Sequence, residues 1–470
     1  MEKRLNKELL KIKENGLYPL HMPGHKRNIM APECEDGDAS ESAYDFGMNL
    51  KRMYEIDITE IDDFDNLHDA EGIIKDAENR AAKLYKSAET HFLVNGSSSG
   101  ILAAIAAVTD RGDKIIVSRN CHISVYNAIE LNDLKPVYVY PEVIEGICGS
   151  VSYSEVEKTV INNPDAKAVI ITSPTYDGVL SDIPAIARLA HEYDIPLIVD
   201  EAHGALFFME GRSAVINGAD IVINSVHKTL PALTQTALIH INGNLVNRSR
   251  VRKYLRIYQT SSPSYILMGS IDYAVEIMEK EGNRLYRNFC VRTLRLKEAL
   301  TKLRYLKYIS ADLLMNNGAF DFDESKILIA AGNSGLNGRM IYSLLREKYS
   351  LQPEMAAGHY VLLMTTLFDT DEGIDRLISA LYEIDRAYSK EEMLSLCKGK
   401  DEADMSENVS DDESKALNIL KQETDKESPY TVFAYPPGIP IIVKGETVTV
   451  NALKEIEHAI DSSLDVKFTD

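Results

Sequence analysis

Lys228 sits in Ser225-Val226-His227-Lys228-Thr229, about one α/β unit downstream of Asp200-Glu201-Ala202-His203-Gly204. An acid closing one strand and a lysine just past a later one is the arrangement that holds pyridoxal 5'-phosphate. The lysine forms a Schiff base with the cofactor's aldehyde, and the carboxylate faces the ring nitrogen. The chemistry implied is carbanion chemistry on an amino acid. A lysine after a strand is by itself an ordinary surface charge, so the reading depends on its neighbours.

Asp200 ends the apolar run Ile195-Pro196-Leu197-Ile198-Val199, where an unpartnered carboxylate is costly to desolvate. Opposite charges at about 4 Å interact by roughly 4 kcal/mol at an effective dielectric of 20, enough to hold a pyridine nitrogen protonated by some three pK units. A cofactor phosphate needs several donors at once. Asn95-Gly96-Ser97-Ser98-Ser99-Gly100 offers three hydroxyls and the N-terminus of the helix that follows, and Ser225 and His227 can close the cup from the other side. His122 and His203 stand at strand-to-helix junctions. A flat imidazole can stack on one ring face while the small Ala202 packs on the other, or His203 can bond the phenolic oxygen. Neither GxGxxG nor GxxxxGK[ST] occurs, and no metal-ligand spacing such as HExxH is present, so dinucleotide, P-loop and metal chemistries lack their signals.

The elements that must position these groups are legible from about residue 70. Helical periods alternate with the β-branched runs THFLV, DKIIVS, KPVYVY, AKAVIIT, IPLIVD, ADIVINS and QTALIHI. That pattern predicts an α/β fold, with a mainly parallel seven-stranded sheet in a three-layer α/β/α domain. The strand-end residues Asn95, Ser118, Thr172, Asp200 and Ser225 should converge on one crevice. A smaller α+β unit follows, through KILIA, a helix after Asn337, HYVLLMT and IDRLISALYEIDRAY. The expected division is an N-terminal arm over 1–70, a cofactor-binding large domain over 71–309 and a small domain over 310–470. Within the last, residues 390–428 hold 12 acids against six bases and read as a charged linker or solvated helix.

The chain of 470 residues is 45% hydrophobic, enough for two or three cores. A net charge of -21 argues against nucleic acid or an anionic membrane as partner. No run approaches the roughly 20 apolar residues of a membrane span, and MEKRLNKELLKIKENG reads as a charged amphipathic helix without a signal core, so a cytoplasmic location is expected. Cys34, Cys121, Cys148, Cys290 and Cys397 are scattered, without a disulfide or zinc pattern.

Taken together, LHMPGHK (20–26), DITEIDDFDNLHDAEG (57–72), FLVNGSSSG, RNCHIS, TSPTYDG (172–178), VDEAHGA, SVHKTLPALTQ (225–235), TSSPSY (260–265), LQPEM (351–355) and YPPGIP (435–440) resemble the Orn/Lys/Arg decarboxylase family of fold type I enzymes dependent on pyridoxal phosphate. The resemblance implies decarboxylation of arginine, lysine or ornithine to an amine and CO2. It implies that Lys228 carries the cofactor, that Asp200 pairs with the ring nitrogen, that His122 stacks on the ring and that Ser98, Ser99, Ser225 and His227 contact the phosphate. It also implies that TSSPSY, with Ser262, reaches a neighbouring subunit's site, making a homodimer the smallest active unit. The early position of HMPGHK resembles the short form of the family, without a receiver-like N-terminal domain. His203 stands where some long members have a tryptophan.

Spacing alone leaves the reaction open. An aminotransferase would clamp the substrate carboxylate with an arginine such as Arg339 or Arg346, and a non-catalytic cofactor-binding protein would keep the same pocket. Asp57, Glu60, Asp62, Asp63 and Glu354 offer carboxylates for the distal cation of a basic substrate.

Overall fold

The structure is a computed structural model that describes residues 18–19, 60, 64–387, 411–435, 438–461 and 465–469. Most of the expected N-terminal arm, including LHMPGHK, Asp57, Asp62 and Asp63, lies outside the described residues, as do Cys34, Cys397 and residues 390–410 of the charged segment.

Seven strands form the main sheet: β1 (Glu89–Leu93), β2 (Lys114–Ser118), β3 (Lys135–Val139), β4 (Val169–Thr172), β5 (Leu197–Asp200), β6 (Ile221–Asn224) and β7 (Ala237–Ile241), in the order β1-β7-β6-β5-β4-β2-β3. Five strands, β6 to β3, pair in parallel, while β7 runs antiparallel to both β6 and β1. Two reversals restore direction, so β1 points the same way as the parallel set and all these strands except β7 deliver their carboxyl ends to one edge.

Alternate side chains of each strand enter different cores. Ile115, Val117, Ile170, Ile198, Ile221 and Ile223 pack on one face, under α2 (Gly96–Val108), α3 (Ile123–Leu131) and α6 (Arg248–Tyr258). Ile116, Val169, Ile171, Leu197, Val199 and Val222 pack on the other, under α4 (Tyr153–Asn162) and α5 (Ile183–Glu192). Burial on both faces is why these runs read as continuously apolar. At the β1 end the second face is covered by α1 (Ile73–Tyr85) and the 36-residue α7 (Tyr265–Leu300). Helix α2 lies close to the sheet because it is built of small residues: a Cβ on Gly100 would sit 2.5 Å from Leu93 Cδ1.

Two further sheets of more than two strands follow among the described residues. β8 (Lys307–Ile309), β9 (Lys326–Ala330), β10 (Met355–Ala357) and β11 (Tyr360–Met364) form an antiparallel sheet in the order β8-β9-β11-β10. Its core is shared with α8 (Gly338–Ser343) and α9 (Asp371–Ala387). The span expected as one small domain then holds a separate unit. It comprises α10 (Asp411–Gln422), β12 (Thr431–Tyr435), β13 (Ile439–Ile442), α11 (Val450–Asp461) and β14 (Asp465–Thr469), with its own core of Leu420, Val432, Ile442, Val448 and Ile456. The end of the charged segment is thus helical, with Leu420 turned inward. No helix among the described residues is long and apolar enough to cross a membrane.

Candidate active site

The carboxyl-end edge of the main sheet opens onto a cavity of about 270 Å³. Ser97, Ser98, His122, Asp200, Ala202, His203, Ser225, His227 and Lys228 all line it. Each comes from the first residues after a strand: Ser97 and Ser98 after β1, His122 after β2, Ala202 and His203 after β5, Ser225 to Lys228 after β6, with Asp200 closing β5 itself. Sequence spacing brings these residues together only because the strands share a direction.

Lys228 is half-buried, and desolvation lowers its ammonium to about 8 against the opposing pull of Asp200 and Glu354. Its Nζ lies 2.8 Å from His203 Nε2. Burial, reinforced by the Lys228 charge, holds His203 well below its usual range, so the imidazole is neutral and Nε2 accepts from the lysine. His203 Nδ1 is then the protonated nitrogen, and it is buried with no protein partner. Asp200 is raised by burial, opposed by Lys228 and by the Ala202 amide, which donates to its Oδ1 at 3.1 Å. A cation brought beside this carboxylate would return it to the charged form, which fits a protonated ring nitrogen.

His122 caps α3, its Nδ1 accepting from the Ser124 amide at 3.2 Å. Burial and then Lys228 lower it to about 4, leaving a neutral, flat ring on the cavity wall. The other end of the cavity fits a phosphate. Gly96, at φ +77°, opens the 13-residue α2, whose first turn carries Ser97 and Ser98. Ser225 Oγ is buried without a partner. His227 donates from Nδ1 to the Thr236 carbonyl at 2.8 Å. Burial lowers His227 to about 4, and Lys228 adds to the effect.

Two expected residues are elsewhere. Ser99 turns its hydroxyl back to the Gly96 carbonyl at 2.8 Å and lies beneath the first turn of α2, off the cavity wall. Ser262 is exposed on the segment before α7 and does not line this chain's cavity.

Six lining residues were not singled out as site residues: Asn120, Pro174, Tyr176, Thr234, Gln235 and Ile439. Thr172 was noted only as a strand end. Asn120 has a buried Oδ1 without a partner, and Tyr176 packs edge-on against His203 and donates to the Glu354 carboxylate. Gln235, at φ +84°, bonds the Val94 carbonyl at 2.6 Å and ties the Lys228 loop to the end of β1. Their positions in RNCHIS, TSPTYDG and SVHKTLPALTQ were the available signal. Ile439 had none, being an apolar residue far down the chain.

Comparison with known proteins gives a consistent result. The family model described as Orn/Lys/Arg decarboxylase, major domain, matches residues 4–327. An arginine decarboxylase of Bacillus subtilis (strain 168) is 31% identical over 458 residues, covering 95% of this chain and 91% of its own. The lysine decarboxylase LdcA of Pseudomonas aeruginosa is 27% identical over 314 residues, covering 61% of this chain and 41% of its own. Among solved structures, the lysine decarboxylase LdcF of Francisella novicida superposes with a TM-score of 0.71 at 20% identity, covering 99% of this chain and 82% of that one. That likeness establishes the α/β, fold type I architecture.

Proposed function

The chain belongs to the Orn/Lys/Arg decarboxylase family and is an amino-acid decarboxylase, and from that premise we propose that it holds pyridoxal 5'-phosphate on Lys228 and decarboxylates a basic L-amino acid, arginine foremost. The observation that supports the site assignment is one cavity lined by Lys228, Asp200 and Ser225, the last with a buried hydroxyl that has no hydrogen-bond partner. Arginine is favoured because the relative named for it aligns along 95% of this chain, against 61% for LdcA.

When bound, the cofactor supplies an electron sink for the pair left at Cα as the substrate carboxylate departs. The chain's own groups do the rest. Asp200 keeps the ring nitrogen protonated from the end of a buried strand. His122 gives a neutral flat surface, and Ser97, Ser98, Ser225 and His227 hold the phosphate. Lys228, partnered by His203, is placed to return a proton to Cα once CO2 has left. Glu354, bonded to Tyr176 at the cavity wall, is the carboxylate we assign to the distal cation.

A homodimer is part of the same proposal, supported by Ser262, which is exposed and away from its own chain's cavity. The aminotransferase reading loses its support here, because Arg339 and Arg346 are exposed and neither lines the cavity.

The test is to incubate the purified protein and cofactor with arginine, lysine and ornithine, and to assay carbon dioxide and keto-acid. Carbon dioxide without keto-acid, fastest from arginine, is expected. Keto-acid release, or a borohydride-trapped pyridoxyl group on a lysine other than Lys228, would overturn the proposal.

A further inference from the structure

Arg119, the first residue after β2, is buried, and its guanidinium bonds mainly into the C-terminal unit, with Nη1 also donating to the Tyr126 hydroxyl of α3 at 3.1 Å. Its Nε and Nη2 donate to the two carboxylate oxygens of Glu446 at 2.9 and 2.8 Å, and its Nη1 donates to the Pro440 carbonyl at 2.8 Å. The cation also lies over the rings of Tyr126 and Tyr138, with centroids at 5.5 and 5.8 Å. A bidentate, largely desolvated pair with a backbone acceptor fixes orientation as well as position. Glu446 is itself tied down, accepting from the Val443 amide at 2.8 Å.

Three residues beyond Arg119 in the same loop is His122, and the next amide, Ile123, donates to the Gly438 carbonyl at 2.9 Å. Ile439 follows, and it lines the cavity. A loop that carries one wall residue, His122, is therefore bonded along its length to a turn that carries another. The C-terminal unit has a separate sheet and core, so among the described residues these bonds, together with Val443 packed against the main-sheet core, set where Ile439 stands.

We propose that the C-terminal unit is a docked wall of the catalytic cavity. Arg119 is the positioning residue that seats it, and Ile439 is a specificity-determining residue that limits the length of side chain admitted and keeps water from the cavity. The proposal rests on the reaction assigned above for its substrate, and on hydrogen-bond geometry alone for the docking.

The experiment uses the full chain with three substitutions, Arg119→Met, Glu446→Gln and Ile439→Ala. Hydrogen exchange on the cofactor-free protein should speed up at the Ile123 amide and across residues 438–446 in the first two variants, but not in Ile439→Ala. Release of bound pyridoxal phosphate on dilution should accelerate by about tenfold or more in Arg119→Met, the scale expected for breaking a buried charge pair. In Arg119→Met and Glu446→Gln, KM should rise while kcat stays within about threefold, since the reacting groups are untouched. Arg119→Lys should recover part of the loss. In Ile439→Ala the ratio of kcat/KM for arginine over ornithine should shift by about tenfold, the discrimination an apolar wall of this size provides.

Unchanged exchange at Ile123 in Arg119→Met would overturn the docking. Faster exchange with cofactor release and KM within about twofold of the parent would overturn the wall. An unshifted substrate ratio in Ile439→Ala would overturn its specificity role. If the parent protein releases no carbon dioxide from any of these amino acids, the assigned reaction falls, while the exchange and cofactor-release arms still decide whether the wall exists.

Discussion

Lys228 Nζ and His203 Nε2 are 2.8 Å apart on the cavity wall, the ammonium donating to an imidazole that burial keeps neutral. The pair needs no carboxylate in direct contact to satisfy the lysine, so Asp200 is left for another cation. Replacing Lys228 with Ala should abolish decarboxylation, a loss of several orders of magnitude, and remove the pyridoxyl-labelled peptide after borohydride trapping. Turnover counted per labelled site checks it. Retained activity with labelling at another lysine would refute the assignment.

Asp200→Asn keeps the shape and the bond from Ala202 but removes the charge. If the carboxylate holds the ring nitrogen protonated at the strength of roughly 4 kcal/mol, kcat should drop by about a hundredfold or more. Asp200→Glu should fall between the two. Steady-state kinetics on cofactor-saturated protein measure this, and a loss below tenfold would mean that the ring is neutral during turnover.

His227 sets a pH dependence for cofactor binding. Without ligand, burial lowers it to about 4, and its Nδ1 proton is committed to Thr236, so its Nε2 carries no proton at neutral pH. A phosphate dianion favours the charged imidazole and raises its pKa, so binding takes up a proton. Affinity should therefore fall as pH rises through the raised, ligand-bound value. Calorimetry in buffers of different ionisation enthalpy will show the uptake, and His227→Gln should lose it while retaining the slope that belongs to the phosphate.

Away from the cavity, His91 lies between Glu78, at 3.3 Å from Nδ1, and Glu89, at 2.8 Å from Nε2. Burial alone would lower it, but the two hydrogen-bonded carboxylates outweigh that and raise it to about 9. A raised histidine stabilises the fold fully below its unfolded value near 6.5, and the contribution disappears as pH climbs through 9, amounting to roughly 3 kcal/mol. Denaturant melts of the parent and His91→Gln at both ends of that window should differ more at the acid end. An equal difference at both ends would show that the ring is uncharged.

Gly100→Ala tests the packing of α2 on the sheet. Alanine favours a helix interior by about 1 kcal/mol over glycine, yet its Cβ would meet Leu93 Cδ1 at 2.5 Å and Ile223 Cγ2 at 3.4 Å. Overpacking of that kind costs roughly 1–3 kcal/mol. A net loss of stability is expected, read from the unfolding midpoint, and a gain would mean that the helix can lift from β1 freely.

The main sheet was legible because burial on both faces leaves short β-branched runs that no helix period explains, and because parallel strands collect their ends on one edge. Strand direction is a different matter. Leu238 and Ile239 of β7 read like any other buried strand, and only the pairing with β1 and β6 shows that it runs backwards. At the cavity, the polar residues stood out by type. Ser99 did too, yet one helical step carries its side chain beneath Ser97 and Ser98, and hydroxyl content cannot tell those positions apart. Ile439 is the opposite case: 211 positions after Lys228, in a unit with its own core, it carries no chemical signature of the cavity it lines. The separate three-stranded sheet was hidden for a related reason, since strands of four and five residues after a charged stretch do not announce which core they join.

Strand β1 occupies an outer position in the main sheet, and among the described residues its one neighbour there is β7, with Glu89 opposite Ile241 and Leu93 opposite Ala237. During synthesis the first strand emerges from the ribosome about 150 residues before the one it must bond, an interval of several seconds or more at ordinary elongation rates. Until then its backbone donors and acceptors stay open, and the glycine-serine turn beside it has no fixed frame. Assembly of the nascent chain must therefore wait on a late segment, which marks residues 89–93 as the place where a chaperone or a premature partner strand would first take hold.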